Sequence, residues 1–444
     1  MKTLNLLEDN VRSLFLKYLI PSVSATFVTS IYILADTVMI GRGVGAVGIA
    51  ALNLLLPLFS LFFGTGVLLG VGGGVLFSIS KGKGEELEAK GYFTVGFACA
   101  VLFSLFYVAG GFLFFEPVTT FLGNNESMSA LVEQYGRILV AGAPAFLFSA
   151  FLQAFVRNDK APKVAMAAVI SGGVSNVVLD YIFIFPMKMG MAGAAAATVI
   201  GSLVTILILL SHFFSPSNTL KFAGKLSVGR AGKVISNGLS SFLIEMSGGI
   251  IIFLFNRQLL AYVGNLGVVV YGIISNSALI VSSVSNGIAQ AAQPLMAVNF
   301  GAGNGKRIRE TRKYALSAEF AAGALFMAAG LLLPQMITEI FVKPDEEILT
   351  LAVPAVRVYF LSFTAMGANL LFSTYFQSVM KPLYALVVCL LRGIALSGIL
   401  VFLLPAVLGV NGIWLTMPVT EFITLAVCIA LNIRICESKT DMRK

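Results

Sequence analysis

Asp36 and Asp180 are carboxylates set deep within apolar stretches of the sequence. A carboxylate in hydrocarbon costs at least ~2.5–3.5 kcal/mol on insertion scales, so each needs a reason to be there. Asp36 stands 19 residues beyond Lys17, about 28 Å of helix at about 1.5 Å per residue. Asp180 stands 17 residues beyond Lys163, about 26 Å by the same measure. The two stretches run in the same direction, which predicts nearly equal depth for the two acids. Asn176 precedes Asp180 by four residues and shares its helix face, and Gln153 offers another amide nearby. Two carboxylates crowded with amides in a water-poor pocket cannot both ionise freely, which is what a proton relay needs. The same oxygens suit a Na⁺ ion. The plainer alternative is an Asp36 that faces solvent near the outer surface and an Asp180 that caps a kink.

The second half of the chain carries its own polar set. Glu245 lies 12 residues beyond Lys233, Arg392 lies 11 beyond Lys381, and Glu421 lies 13 before Arg434. At helical rise all three sit about 16–20 Å from the basic ends, near a midplane. An Arg between two Glu can be a buried ion pair that holds helices together, or a part of coupling or substrate binding; both readings stand. Glu319, only six residues from Lys313, is expected to reach the inner interface. Tyr32, Phe151, Phe155 and Tyr181 share stretches with the amides and acids of the first half and could stack on an organic cation, with packing as the simpler role. Pro21 shares the Asp36 stretch and could act as a hinge that couples a charge change to bending. His212 reads as interfacial without a ligand role, and Cys99, Cys389, Cys428 and Cys436 show no CxxC pair or metal spacing.

The elements that must hold these side chains are set by composition. Of 444 residues, 58% are hydrophobic and 11% charged, with a mean hydropathy of +0.92. A soluble chain carries roughly 25% charged residues, so the surrounding solvent here is lipid. Apolar runs of membrane-crossing length fall at 14–40, 49–79, 92–115, 131–156, 164–186, 192–214, 234–261, 266–298, 314–341, 348–379, 383–405 and 411–434. The sequence thus predicts an all-α integral membrane protein with twelve transmembrane helices. The first run is too long for a cleavable signal and contains Pro21 and Asp36, so it is expected to be retained. Most of the 30 Lys and Arg lie in alternate connections on the side of the termini. By the positive-inside rule both termini are expected in the cytoplasm, across a plasma membrane. The net charge of +9 is then a topology signal and speaks against nucleic-acid binding.

The second half repeats the first with a shift of 219: Gly45 and Gly48 fall on Gly264 and Gly267, Gly82 and Gly84 on Gly301 and Gly303, Gly190 and Gly193 on Gly409 and Gly412. One residue of slip also pairs Pro162 with Pro382. Six spans per half make the repeats parallel, and such pairs typically enclose a central cleft. The expected division is an N-terminal lobe 1–214, a cytoplasmic linker 215–232 and a C-terminal lobe 233–444. Gly66, Gly70 and Gly74 form small-xxx-small steps that favour close helix packing. Pro57, Pro144, Pro294, Pro354 and Pro418 mark further interruptions.

Over nearly its full length the sequence resembles the multidrug and toxic compound extrusion (MATE) family. The likeness rests on PSVSATFVTSIYILADTVMIG, QAFVRNDKAPK, SNVVLDYIFIF, QPLMAVNFGAGN and NGIWLTMPVTE, in this order and spacing. The resemblance implies an antiporter, not an enzyme, that exports cationic amphipathic compounds against an inward H⁺ or Na⁺ gradient by alternating access, with no other cofactor. It implies small organic cations and the bilayer as partners, a monomer, and a bacterial source. In members with an acidic N-lobe, the positions matching Asp36, Asn176 and Asp180 form the cation-coupling site, with Gln153 where an Asn often stands. Members coupled through the C-lobe use a Glu in span seven, which Glu245 resembles, and an Asp in span ten, where this chain has Asn369. A lipid-linked oligosaccharide flippase of the same superfamily is the first alternative, and a membrane-embedded transferase the second.

Overall fold

The computed structural model describes residues 5–342 and 344–441, with side chains up to residue 435. Lys2, Lys343, Arg443 and Lys444, among the charges that orient the chain, lie outside the described residues, as do the side chains of Cys436 and Lys439. Every regular element among the described residues is helical. The first set comprises α1 (Val11–Gly43), α2 (Ala46–Lys83), α3 (Glu86–Leu113), α4 (Phe115–Phe121), α5 (Ser129–Ala141), α6 (Ala143–Asn158), α7 (Pro162–Ile184) and α8 (Gly190–Leu210). The second comprises α9 (Val228–Tyr262), α10 (Asn265–Gly301), α11 (Gly305–Leu332), α12 (Pro334–Phe341), α13 (Glu346–Tyr359), α14 (Phe363–Ser378), α15 (Pro382–Leu390), α16 (Leu396–Leu408) and α17 (Val410–Asp441).

Among the described residues, eleven helical stretches are long and apolar enough to cross a membrane, and α5 with α6, bent by 48°, makes a twelfth. The expected span 131–156 is this bent pair. It breaks at Gly142, and Pro144 sits in the first turn of α6, where its missing N–H costs nothing. The expected span 314–341 is likewise two helices. Pro334 cannot continue α11 and instead opens α12. By contrast α1 runs unbroken through Pro21.

The repeat is written in the helix boundaries. α2 and α10 start at 46 and 265, α3 and α11 at 86 and 305, and α4 and α12 at 115 and 334, each pair 219 apart. The paired glycines explain themselves at the turns. Gly45 and Gly264 have φ of 98° and 82°, Gly84 and Gly303 of 80° and 71°, Gly190 and Gly409 of 55° and 59°. A Cβ is strained in that left-handed region, so these are positions where the two halves cannot drift apart in residue type without distorting a turn.

Packing gathers the chain into two compact units, 1–246 with 294–308, and 247–293 with 309–444. This differs from a division at the linker 215–232, because the first unit takes in the start of α9 and the end of α10. Glycines on and against α2 are the cause. A Cβ on Gly72 would collide with the Val234 carbonyl oxygen, and one on Gly238 with that of Leu68. One on Gly82 would collide with the Val298 carbonyl oxygen, and one on Gly301 with that of Ile79. Such backbone-to-backbone approach is how helices gain van der Waals contact in lipid. The Gly66, Gly70 and Gly74 face of α2 meets Leu147, Ala154 and Asn158 of α6 in the same way, as small-xxx-small packing predicts.

Helix ends are fastened by polar joints. Asp159, just past α6, accepts from the Thr219 N–H at 2.8 Å and from the Thr219 hydroxyl. It also pairs with His212 Nε2 at 2.8 Å. His212 is therefore buried, and it ties the segment after α8 to the end of α6. In a second joint, Arg307 donates to the carbonyls of Leu6 and Asp9 at 3.1 and 2.7 Å and to Asn299 Oδ1 at 3.1 Å. Cys99, Cys389 and Cys428 are free thiols.

Candidate functional site

Helices α1 and α7 lie side by side in the first unit, and glycines set how closely. A Cβ on Gly173 would lie 2.8 Å from Tyr32 Cδ1, and one on Gly43 would collide with Ile184. The contacts advance together along both helices, so α1 and α7 are parallel, as equal depth for the two acids requires. On its other side α7 is pressed against α8, where Gly172 leaves no room for a Cβ beside Thr205. A Cβ on Gly201 of α8 would sit 3.0 Å from Asn176 Cβ. The pair Gly172 and Gly173 thus lets α7 carry Asn176 and Asp180 between two neighbours.

The carboxyl groups of Asp36 and Asp180 face each other, with the Asn176 amide beside Asp180. Asp180 is 0% exposed. Asp36 Oδ1 and both Asp180 carboxyl oxygens meet no hydrogen-bond donor among the described residues. Asn176 Nδ2 approaches Thr198 Oγ1 of α8 at 3.5 Å, and its own Oδ1 has no donor. Facing acceptors that are mostly buried repel one another unless a proton or a cation lies between them. The arrangement is therefore an oxygen-rich seat for a small positive charge.

Two further hydroxyls belong to this cluster. Tyr135, buried on α5, senses both acids and lies within reach of Thr198. Neither stands out in the sequence: Tyr135 shares the run 131–156 with Gln153, but the 48° bend between α5 and α6 breaks the helical register between them, and Thr198 lies on a run without a charged residue. Tyr32, one turn before Asp36, lies near Asp36 and also near Glu245. Glu245 itself belongs to the first unit, where a Cβ on Gly64 of α2 would stand 3.4 Å from its own Cβ.

Other expected members fall elsewhere. Gln153 is half-buried on α6 and makes no hydrogen bond to either acid. Phe151 and Phe155 are core residues rather than cavity walls: both are fully buried and pack against Phe93, with ring centroids 6.0 and 5.1 Å away. Their helix turns them toward α3, away from α1. Tyr181 is 58% exposed and points outward with Phe185 into an open hollow of about 600 Å³ bounded by α1 and α7.

In the second unit Arg392 lies on a wide π-type turn, Leu391–Ala395, that joins α15 to α16. Its Nε donates to Glu421 Oε1 at 2.7 Å. Asn369 Nδ2 donates to Glu421 Oε2 at 2.7 Å and to the Glu421 carbonyl at 2.8 Å. The second acid of this cluster is Glu319, and Glu245 has no part in it. Glu319 is 1% exposed, and neither carboxyl oxygen meets a donor. The Ser285 hydroxyl and the Arg392 guanidinium are its polar neighbours, and a Cβ on Gly367 would collide with Glu319 Oε2. The expectation of an interfacial Glu319 fails because α11 begins at Gly305, well before Lys313, which makes Lys313 a poor marker of the helix end. Among the described residues, no three His, Cys, Asp or Glu side chains gather as a metal-binding set.

The MatE family model matches residues 21–182 and 238–402, most of both helix sets. Multidrug export protein MepA of Staphylococcus aureus (strain MRSA252) is 24% identical over 405 residues, which cover 90% of this chain and 89% of the relative. Its namesake from Staphylococcus haemolyticus (strain JCSC1435) is 22% identical over 442 residues, 98% and 97% of the two chains. Among solved structures, a multidrug resistance MATE family transporter of the MOP superfamily in an outward-facing conformation superposes with a TM-score of 0.92. It is 21% identical over 99% of each chain. A MOP superfamily transporter from Pyrococcus furiosus Vc1 (DSM3638) superposes at 0.91, also at 21% identity over 99% of each chain. These superpositions speak for the fold, and the family match over both halves speaks for descent. The chain belongs to the MatE family, the multidrug and toxic compound extrusion (MATE) transporters of the membrane.

Proposed function

We propose that this protein is a secondary active exporter that exchanges H⁺ or Na⁺ for small cationic amphipathic compounds by alternating access. The observation that carries the proposal is the Asp36–Asp180 pair, whose buried oxygens face one another without donors. A cation bound there and a cationic cargo compete for the same negative charge, which is the simplest chemistry that links one to the other. The name of the staphylococcal relatives, multidrug export protein, supports export as the direction of transport. Asn176 and the hydroxyls of Tyr135 and Thr198 complete the coupling site in this reading. Tyr32, held near both Asp36 and Glu245, is the aromatic best placed to meet an organic cation. Pro21, on the helix that carries Asp36, supplies a point where α1 can bend. The protein acts as a monomer in a bacterial plasma membrane with both termini in the cytoplasm. In the second unit, Arg392 and the Asn369 amide nitrogen both donate to Glu421, and the three serve to hold helices together.

The test is transport in proteoliposomes with imposed pH or Na⁺ gradients and ethidium as cargo. Asp36→Asn is expected to insert and purify as the wild type does but to lose gradient-driven efflux. Full efflux by that variant would remove Asp36 from coupling. Efflux driven by one gradient only identifies the ion.

A further inference from the structure

Arg12 and Lys17 on α1 and Lys163 on α7 surround one open groove of about 620 Å³ in the first unit. The walls between them are apolar. Leu16 is 45% and Ile20 66% exposed, with Met166 opposite on α7. None of the three cations has an acidic partner among the described residues, although ion pairs occupy Lys81, Lys83, Lys90, Arg137, Arg230 and Arg392. The repeat shows that this is more than a general excess of positive charge at helix ends. At a shift of 219 the counterparts of Arg12 and Lys17 are Ala231 and Ser236, and with the one-residue slip that of Lys163 is Leu383. Arg230, one residue from the counterpart of Arg12, is paired with Glu88, so a trio of cations without acidic partners does not recur at the matched positions.

We propose that this groove binds an anionic diacyl phospholipid, with its phosphodiester among Arg12, Lys17 and Lys163 and one acyl chain along Leu16, Ile20 and Met166. Basic pockets between membrane helices recognise anionic headgroups by charge, and a groove of exposed aliphatic side chains suits a chain of methylenes. Pro21 lines the same groove. The lipid therefore lies against the segment of α1 where the helix can bend, and it braces the helix that carries Asp36. This site stands independently of which ion or cargo the protein moves.

Native mass spectrometry of the full chain in detergent, titrated with 1-palmitoyl-2-oleoyl phosphatidylglycerol or the matching phosphatidylcholine, tests it. The first phosphatidylglycerol is expected to bind about a hundredfold more tightly than phosphatidylcholine, since each of the three cations contributes about fivefold. Arg12→Gln, Lys17→Gln and Lys163→Gln together should abolish the preference, and each alone should weaken it by about fivefold. Lys221→Gln with Lys225→Gln, exposed cations outside the groove, should leave it unchanged. Met166→Trp fills the groove while keeping every cation, and it should weaken phosphatidylglycerol binding. An undiminished preference in the triple variant, or in the single variants if the triple does not fold, overturns the proposal. So does displacement of the lipid by glycerophosphoglycerol at comparable concentration, because that would show a site for the headgroup anion only.

Discussion

Replacing Arg392 with Met would leave Glu421 buried at 0% exposure with its main counter-charge gone. Removing one partner of a buried ion pair costs about 3–5 kcal/mol, because the remaining charge stays desolvated. Asn369 keeps its 2.7 Å hydrogen bond to Glu421 Oε2, which offsets about 1 kcal/mol. Arg392→Met alone should therefore cost about 2–4 kcal/mol. Joining it to Glu421→Leu removes both charges, and the loss should shrink to about 1 kcal/mol, the value of the Asn369 side-chain bond. The reporter is already in place: the single tryptophan of the chain, Trp414, is buried on α17, the helix that carries Glu421. Equilibrium unfolding in mixed micelles of SDS and dodecyl maltoside, followed by Trp414 emission, yields the three differences. A cost below about 1 kcal/mol for Arg392→Met would refute the argument, as would a double variant no better than that single one. Ethidium efflux of the double variant then separates structure from coupling. A stable double variant that still pumps leaves the pair with a structural role; a stable one that does not pump gives it a part in the cycle.

Tyr135→Phe removes the hydroxyl that senses both acids without emptying the core around it. Efflux rate should fall about fivefold, the worth of about 1 kcal/mol for the hydroxyl's hydrogen bond to Thr198 beside the acids, with yield and unfolding midpoint unchanged; an unaltered rate would exclude Tyr135 from the site. Phe155→Ala should cost about 3–5 kcal/mol in unfolding free energy, since its ring sits among Phe77, Phe93 and Phe151. The efflux of whatever protein still folds should keep its cargo range. A changed cargo range with full stability would return Phe155 to the cavity wall.

The architecture was legible in the sequence because lipid imposes few solutions: long apolar runs, basic ends and glycine at tight turns. Asp36, Asn176 and Asp180 lie together at the depth that one rule, rise per residue on parallel helices, sets for them. That rule failed where the face of a helix mattered. Phe151 and Phe155 share α6 with Gln153, yet they turn into the α3 contact. Tyr181 directly follows Asp180 and so must point about 100° away from it. Rotation about a helix axis is set by packing against neighbours, and a run that is apolar on every side carries no periodic signal to report it.

The repeat adds a further step. The residues that the two halves share are turn glycines and crossing glycines, which fix backbone, while the charged clusters are not shared at all. The counterpart of Asp36 is Phe255, a buried ring stacked 4.8 Å from Tyr271. The counterpart of Glu421 is Ser202, and Arg392 falls on the Gly172 and Gly173 pair that lets α7 approach its neighbours. A scaffold of near-equal halves thus carries a pair of facing acids in one unit and a largely neutralised ion-pair cluster in the other. If both halves bound the driving ion alike, their acids would have to coincide under the shift, as the glycines do. Since Asp36 maps to a ring and Glu421 to a hydroxyl, the two clusters perform different work: in the first unit two carboxyl groups face each other with no cationic side chain beside them among the described residues, whereas in the second the donorless Glu319 carboxyl has the Arg392 guanidinium as a neighbour.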